Sequence, residues 1–376
     1  MQNGQTTPEE KAIVAKFNEH GSEVTENAMA RYVPTWFANA RELIRANFKL
    51  QSIEALVVQF SPFARSIVIM GSGPSAMQIA SDLPRDDPSM IVLCGPTGIG
   101  ALLINGRSPN VVVVADSAPE QYSVIAEHDP DNIANWKFLL PVTANPLWYS
   151  ESSIIKREQL YFYLPYLDTL GTVKNAYNDI LKALFPDVHN YISQAGSVGN
   201  TSIGFADMIA GENRDARIYL GLDCCGWLNP TNLRAPAGLK HLDGSYTAVI
   251  TERQKNQAAE EMVNELVVDY HGSGLKTNLT SLGYAVQMLY LVHFLSHLSP
   301  NRDQRFIFLV ESAKLFCYAA PDEIIPLVHA FEVGMGDNPI AGEEWAYNIM
   351  LKLIAITVEH REACIARTQE DNDGQD

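Results

Sequence analysis

Through the middle of the chain, short and almost wholly apolar runs alternate with longer stretches of helical periodicity. Ser66–Met70 (SIVIM), Met90–Cys94 (MIVLC), Asn110–Ala115 (NVVVVA), Lys137–Pro141 (KFLLP) and Ala216–Leu220 (ARIYL) are the short runs. They lack the apolar–polar alternation of a strand wetted on one side, so each predicts a strand covered on both faces. Ala76–Leu83, Ile99–Ile104, Ala118–Glu127 and Ser197–Ala210 carry apolar residues at helical spacing. Strand, Gly or Asp turn, then helix, repeated, predicts an α/β fold. The expected architecture is a Rossmann-like, mostly parallel sheet with helices on both faces. Arg305–Val310 (RFIFLV) is a further strand candidate.

Both flanks read as helical extensions. Pro34–Phe48 and Ile53–Phe60 are amphipathic, and Ser61-Pro62 ends that pattern. From Pro321 onward the period is again helical, most strongly over Glu343–Ile365, and the acidic tail is expected to fray. The expected organisation is a helical region over 1–62, a Rossmann-like nucleotide-binding domain over 63–320 and a helical region over 321–376. Leu279–Leu298 is largely apolar but holds Gln287, His293 and His297. Those groups would be costly in lipid, so the segment predicts a buried core helix, its histidines core or interface residues, and no membrane span.

Composition narrows the partners. A chain of 376 residues, 47% hydrophobic and 19% charged, can bury a substantial core. Its 27 Lys+Arg against 44 Asp+Glu give a net charge of −17, which opposes coating nucleic acid or an anionic membrane. A small anion remains possible, held by backbone N–H groups or a divalent metal. Cys94, Cys224, Cys225, Cys317 and Cys364 have no metal-ligand spacing and read as buried thiols of a reducing compartment. The N-terminus has early acidic residues and no apolar run of the signal-peptide kind, so a cytoplasmic location is expected.

In an open parallel sheet, ligands bind at the carboxyl ends of the strands, near the point where strand order reverses. The residues just after each predicted strand are therefore the candidates. Gly71-Ser72-Gly73-Pro74-Ser75 can bring backbone close to a phosphate, with Pro74 and Ser75 suited to a helix's first turn. It matches neither G-x-G-x-x-G nor a P-loop, and an empty strand-to-helix bend is the alternative. Thr97 lies in the turn Gly95–Gly98. Asp116 closes the valine run, where a carboxylate suits a ribose hydroxyl or a divalent metal; helix N-capping is the competing role. Asp223, after Gly221, has the same choice, with Trp227 nearby as a stacking surface. Ser197, Gly199, Asn200 and Thr201 gather small and hydroxyl residues at a helix start, suited to an anion or sugar or to capping alone. His271, in a Gly-rich segment, has the chemistry of a general base near neutral pH; a surface histidine is the alternative.

Three of these segments, SIVIMGSGPSA, IVLCGPTGIGALLINGRSPNVVVVADSAPEQY and GSVGNTSIGFADMIAGENRDARIYLGLDCCGW, occur in the order seen in the MptE-like superfamily, which the chain resembles over about 60–230. That superfamily includes archaeal 6-hydroxymethylpterin pyrophosphokinases and the central domain of bacterial motility accessory factors (Maf), implicated in glycosylating flagellin with nonulosonic acids. The order also resembles bacterial sialyltransferases whose GxGPS turn grips a cytidine nucleotide. That second resemblance implies a catalytic histidine at or near His271 and a nucleotide contact at Glu311-Ser312. Ala76 stands where the family has Leu, and Gly95-Pro96-Thr97 where relatives tend to place an Asp or Asn. Asp116 matches the Maf and MptE pattern, where the sialyltransferases carry Asn.

The resemblance implies a glycosyltransferase-like enzyme using a nucleotide-activated sugar, such as a CMP-nonulosonic acid, with a protein or glycan acceptor. In that reading Gly71–Ser75 hold phosphate, Asp116 and Asp223 contact ribose, sugar or metal, Asn200 and Thr201 line the donor site, and His271 deprotonates the acceptor. A second reading is an ATP-dependent pyrophosphokinase of the 6-hydroxymethylpterin kind, with Mg²⁺ held by Asp116 and Asp223. A third is a nucleotide-binding protein without catalysis.

Overall fold

The structure, a computed structural model, describes residues 8–73, 76, 80–81, 83, 87–166, 172–193, 198–210, 216–221, 226–227, 237–241, 245–249, 266–268, 278–280 and 305–308. Its framework comprises β1 (Gln51–Ser52), β2 (Ser66–Met70), β3 (Met90–Cys94), β4 (Val111–Val113), β5 (Lys137–Pro141), β6 (Leu160–Tyr166), β7 (Tyr191–Ser193), β8 (Ala216–Leu220) and β14 (Arg305–Phe308). These form a nine-stranded sheet in the order β1-β6-β5-β4-β3-β2-β8-β14, with β7 joined to β6. Every pairing in it is parallel. The chain is an α/β protein with a Rossmann-like parallel sheet, as its pattern predicts.

Alternation along the strands feeds two cores. Val68, Met70, Val92, Cys94, Val112, Val114, Phe138 and Leu140 join one cluster with Ala76, Ala80, Leu102, Tyr122 and Trp148. The intervening Ile67, Ile69, Ile91, Leu93, Val111, Val113 and Leu139 are equally buried and must face the other side. On that side pack α2 (Ile53–Phe60) and α7 (Val198–Ala210). The first face is covered by α3 (Ile99–Ile104), α4 (Pro119–Ala126) and the end of α1 (Pro8–Arg45), whose Ala40 and Leu43 enter the same cluster. The short helix α5 (Pro130–Ile133) and α6 (Thr172–Leu184) complete the described helices. Cys94 is fully buried, and lost hydration holds its thiol far above the usual range.

Several expectations need adjustment. The valine strand is narrower than Asn110–Ala115, because the Asn110 side chain instead accepts from the Val92 N–H at 2.8 Å. The stretch predicted helical to Leu83 has turned by Ser81, and Leu83 lies in a bend. Its carbonyl accepts from the buried Arg107 guanidinium. Helix α1 begins upstream of Pro34 and runs through it, ending at Arg45 rather than Phe48. Leu279 and Thr280, assigned to a core helix, lie in β13 (Asn278–Thr280), held antiparallel to β12 (Leu266–Val268) and to β9 (Gly226–Trp227). The rest of Leu279–Leu298, with His293 and His297, lies outside the described residues, as does the C-terminal region. A second small sheet, β10 (Ala237–Lys240) with β11 (Tyr246–Val249), packs on α3. No described helix is long and apolar enough to cross a membrane.

Candidate functional site

From β2 the chain steps outward through β3, β4, β5 and β6, then returns to set β8 on the opposite edge of β2. Strand order therefore reverses between β2 and β8. In open parallel sheets such a reversal is where ligands bind, at the carboxyl ends of the strands. The glycine turn at Gly71 leaves β2 and Gly221 leaves β8, so two of the sequence candidates meet at that point.

Their contact is close. Gly73 N–H donates to the Gly221 carbonyl at 2.8 Å, and Gly221 adopts φ +62, a conformation favouring glycine. A Cβ on Gly221 would lie 2.7 Å from Ala76 Cβ and 3.0 Å from the Gly71 carbonyl oxygen. One on Gly98 would lie 3.2 Å from that same oxygen. The turns after β2, β3 and β8 are thus pressed together through backbone. This contact also limits what the first turn offers an anion. Gly73 N–H is engaged, Pro74 has none, and Ala76 N–H donates to the Gly73 carbonyl at 3.0 Å. Ser72 is half-buried.

The neighbouring turns extend the rim. Thr97 is exposed in a 3₁₀ turn, Pro96–Gly98, against which α4 packs. Asp116 follows β4 and is exposed, its Oδ1 accepting from Ala118 N–H at 3.0 Å. That bond makes an Asx turn, and Ala118, not Asp116, is the N-cap of α4. Surrounding protein still removes enough water to raise the carboxyl's pKa, with repulsion from Glu120 adding and the N–H groups of Ala118 and Ser117 opposing.

At the start of α7, Val198 faces Gly95, where an added Cβ would lie 2.7 Å from Val198 Cγ1. Gly199 is buried, Asn200 is helical, and Thr201 is fully buried. Ser202 donates to the Val198 carbonyl at 2.7 Å. The hydroxyl of Thr201 therefore faces protein in this structure. Pro74, Ser75, Ser197, Asp223, His271 and Ser312 lie outside the described residues. Trp227 is in β9.

Residues absent from the sequence candidates bond to the chain on either side of Asp116. Tyr163 of β6 donates through its hydroxyl to the Val114 carbonyl at 2.9 Å. The Ser117 hydroxyl donates to Thr143 Oγ1 at 3.1 Å, and Asn39 of α1 donates to the Thr143 carbonyl at 3.1 Å. Thr143 follows β5, so inspecting every strand end would have reached it; Asn39, inside a helix, carries no such signal.

Fold and strand order together define a Rossmann-like α/β protein with its candidate site at a topological switch point. No family model matches the chain, and no curated protein matches it. Among solved structures, the Maf glycosyltransferase of Magnetospirillum magneticum AMB-1 is similar at 15% identity, with a TM-score of 0.38, over 77% of this chain. The likeness spans 39% of that protein. At that level it assigns neither family nor reaction.

Proposed function

We propose that the chain is a glycosyltransferase-like enzyme that binds a nucleotide-activated sugar, such as a CMP-nonulosonic acid, in the crevice between β2 and β8. The observation carrying the reading is the meeting of Gly71–Gly73 with Gly221 at the switch point, with Asp116 further along the same strand-end rim. Phosphate would rest on Ser72, Ser75 and the helix start that follows Pro74, and Asp116 would face ribose or sugar. Thr97, Ser197, Gly199, Asn200, Asp223 and Ser312 are the proposed donor-site neighbours. Thr201 would join them only if its hydroxyl left its buried position. Catalysis would come from positioning and from stabilising charge on the leaving phosphate. His271 is the proposed base: His271→Ala is expected to lower turnover about 100-fold, and unchanged turnover removes that role.

The carboxylate at Asp116 favours a second reading, an ATP-dependent pyrophosphokinase. Among the described residues no three His, Cys, Asp or Glu side chains come together. Asp116 and Asp223, the latter outside the described residues, would offer carboxylates to Mg²⁺, an ion that also takes ligands from substrate phosphates and water. When bound, the metal would neutralise phosphate charge. Thermal shifts with CMP-sugars, UDP-sugars and ATP, each with and without Mg²⁺, separate the readings. Protection by a CMP compound without metal supports the first, and protection by ATP only with Mg²⁺ supports the second. Protection by none contradicts both.

A further inference from the structure

Asp116 stands exposed between two buried anchors. On one side the Val114 carbonyl takes the Tyr163 hydroxyl at 2.9 Å; on the other Ser117 reaches Thr143 at 3.1 Å. Ser117 is 3% and Thr143 1% exposed, so that bond lies away from water. Thr143 is itself seated by Asn39, whose carbonyl accepts from the Tyr149 hydroxyl at 3.3 Å. Two distant pieces of chain, β6 through Tyr163 and the end of β5 through Thr143, therefore bond to the four residues Val114–Ser117, and α1 seats the second of them. A bare strand-to-helix turn needs no such support, and buried polar groups cost stability unless paired. Paired, they select one geometry and hold it.

We propose that Thr143, seated by Asn39 of α1, is a positioning residue that fixes the Asp116 carboxylate toward the crevice. The inference rests on the proposed function only for the use made of Asp116. In this account α1 is part of the site's support rather than a separate appendage. Binding geometry at Asp116 then depends on a helix that begins about a hundred residues earlier in the chain.

The test uses the full chain with Thr143→Val, which removes the hydroxyl, and Thr143→Ser, which keeps it. Amide hydrogen exchange at Ala118, the donor to Asp116, is read against the amides of β3 and β5. Affinities for CMP and for ATP with Mg²⁺ are measured alongside. Thr143→Val should speed Ala118 exchange roughly fivefold beyond any change in the strands, the scale of one lost hydrogen bond. It should also weaken whichever nucleotide binds, and Thr143→Ser should restore both. Ala118 exchange that moves only in step with the strands, or Ser that fails to restore it, overturns the proposal. If Thr143→Val does not fold, Ser117→Ala removes the same bond and is read the same way. A wild-type protein that binds neither nucleotide defeats the proposed function, while the exchange comparison still decides the positioning role.

Discussion

Gly221 and Gly106 both adopt positive φ, +62 and +68, in very different surroundings. A Cβ at Gly106 would meet nothing within 4 Å, whereas at Gly221 it would strike Ala76 and the Gly71 carbonyl. Gly106→Ala should therefore cost about 1 kcal/mol, the strain of the left-handed backbone. Gly221→Ala should cost about 2–4 kcal/mol, because overpacking adds to that strain. Urea denaturation of the two variants measures the gap, and equal losses would refute the close packing at the crevice. Asp116 gives a second prediction. Its folded pKa is raised, chiefly by lost hydration, so the folded state binds that proton more tightly than the unfolded one. Stability from this group is then present at acid pH and declines as pH rises from the unfolded value through the folded one. Asp116→Asn keeps an oxygen for Ala118 and removes the charge. It should be no less stable than wild type at pH 7, with any gain vanishing below about pH 4; a clear loss at pH 7 would contradict this.

Among the elements, β2, β3, β5, β8 and α3 fall where the hydrophobic pattern places them, because a continuous apolar run between turn residues has one good solution in a two-sided sheet. The pattern gives no comparable signal for β6. Its sequence LYFYLPY is rich in strand-forming aromatics, but Pro165 argues against a central strand. The structure resolves the conflict by ending the β5 pairing at Tyr163, before the proline. Strands of two to four residues such as β1, β9 and β12 are too short to carry a period at all. Gly95 illustrates an element contact invisible in the sequence, since its partner Val198 comes a hundred residues later. Gly95→Ala should destabilise by about 1–3 kcal/mol through pressure on the start of α7. Adding Val198→Ala should recover part of that loss in a double-mutant cycle. Additive effects would mean that the two residues do not press on each other.

At the scale of the molecule, strand ends were legible but strand neighbours were not. Gly71–Ser75, Thr97, Asp116 and Gly221 all lie after strands, as the alternation implied. Nothing in an apolar run says which run lies beside it, so the reversal between β2 and β8 emerges only from the assembled sheet. That reversal brings the glycine-rich bend after β2 against Gly221 after β8. It also reveals a restriction, since Gly73 gives its N–H to the Gly221 carbonyl and cannot offer it to an anion. The support for Asp116 was illegible for a related reason: Asn39, Thr143 and Tyr163 become neighbours through tertiary packing alone. The central claim is that a nucleotide occupies this crevice. A crystal structure determined after soaking with CMP, and a second with ATP and Mg²⁺, tests it most directly. The account predicts nucleotide density between the ends of β2 and β8, with phosphate at Ser72 and Asp116 within reach of the bound molecule. Nucleotide density elsewhere on the protein, or none at saturating concentration of either compound, would contradict it.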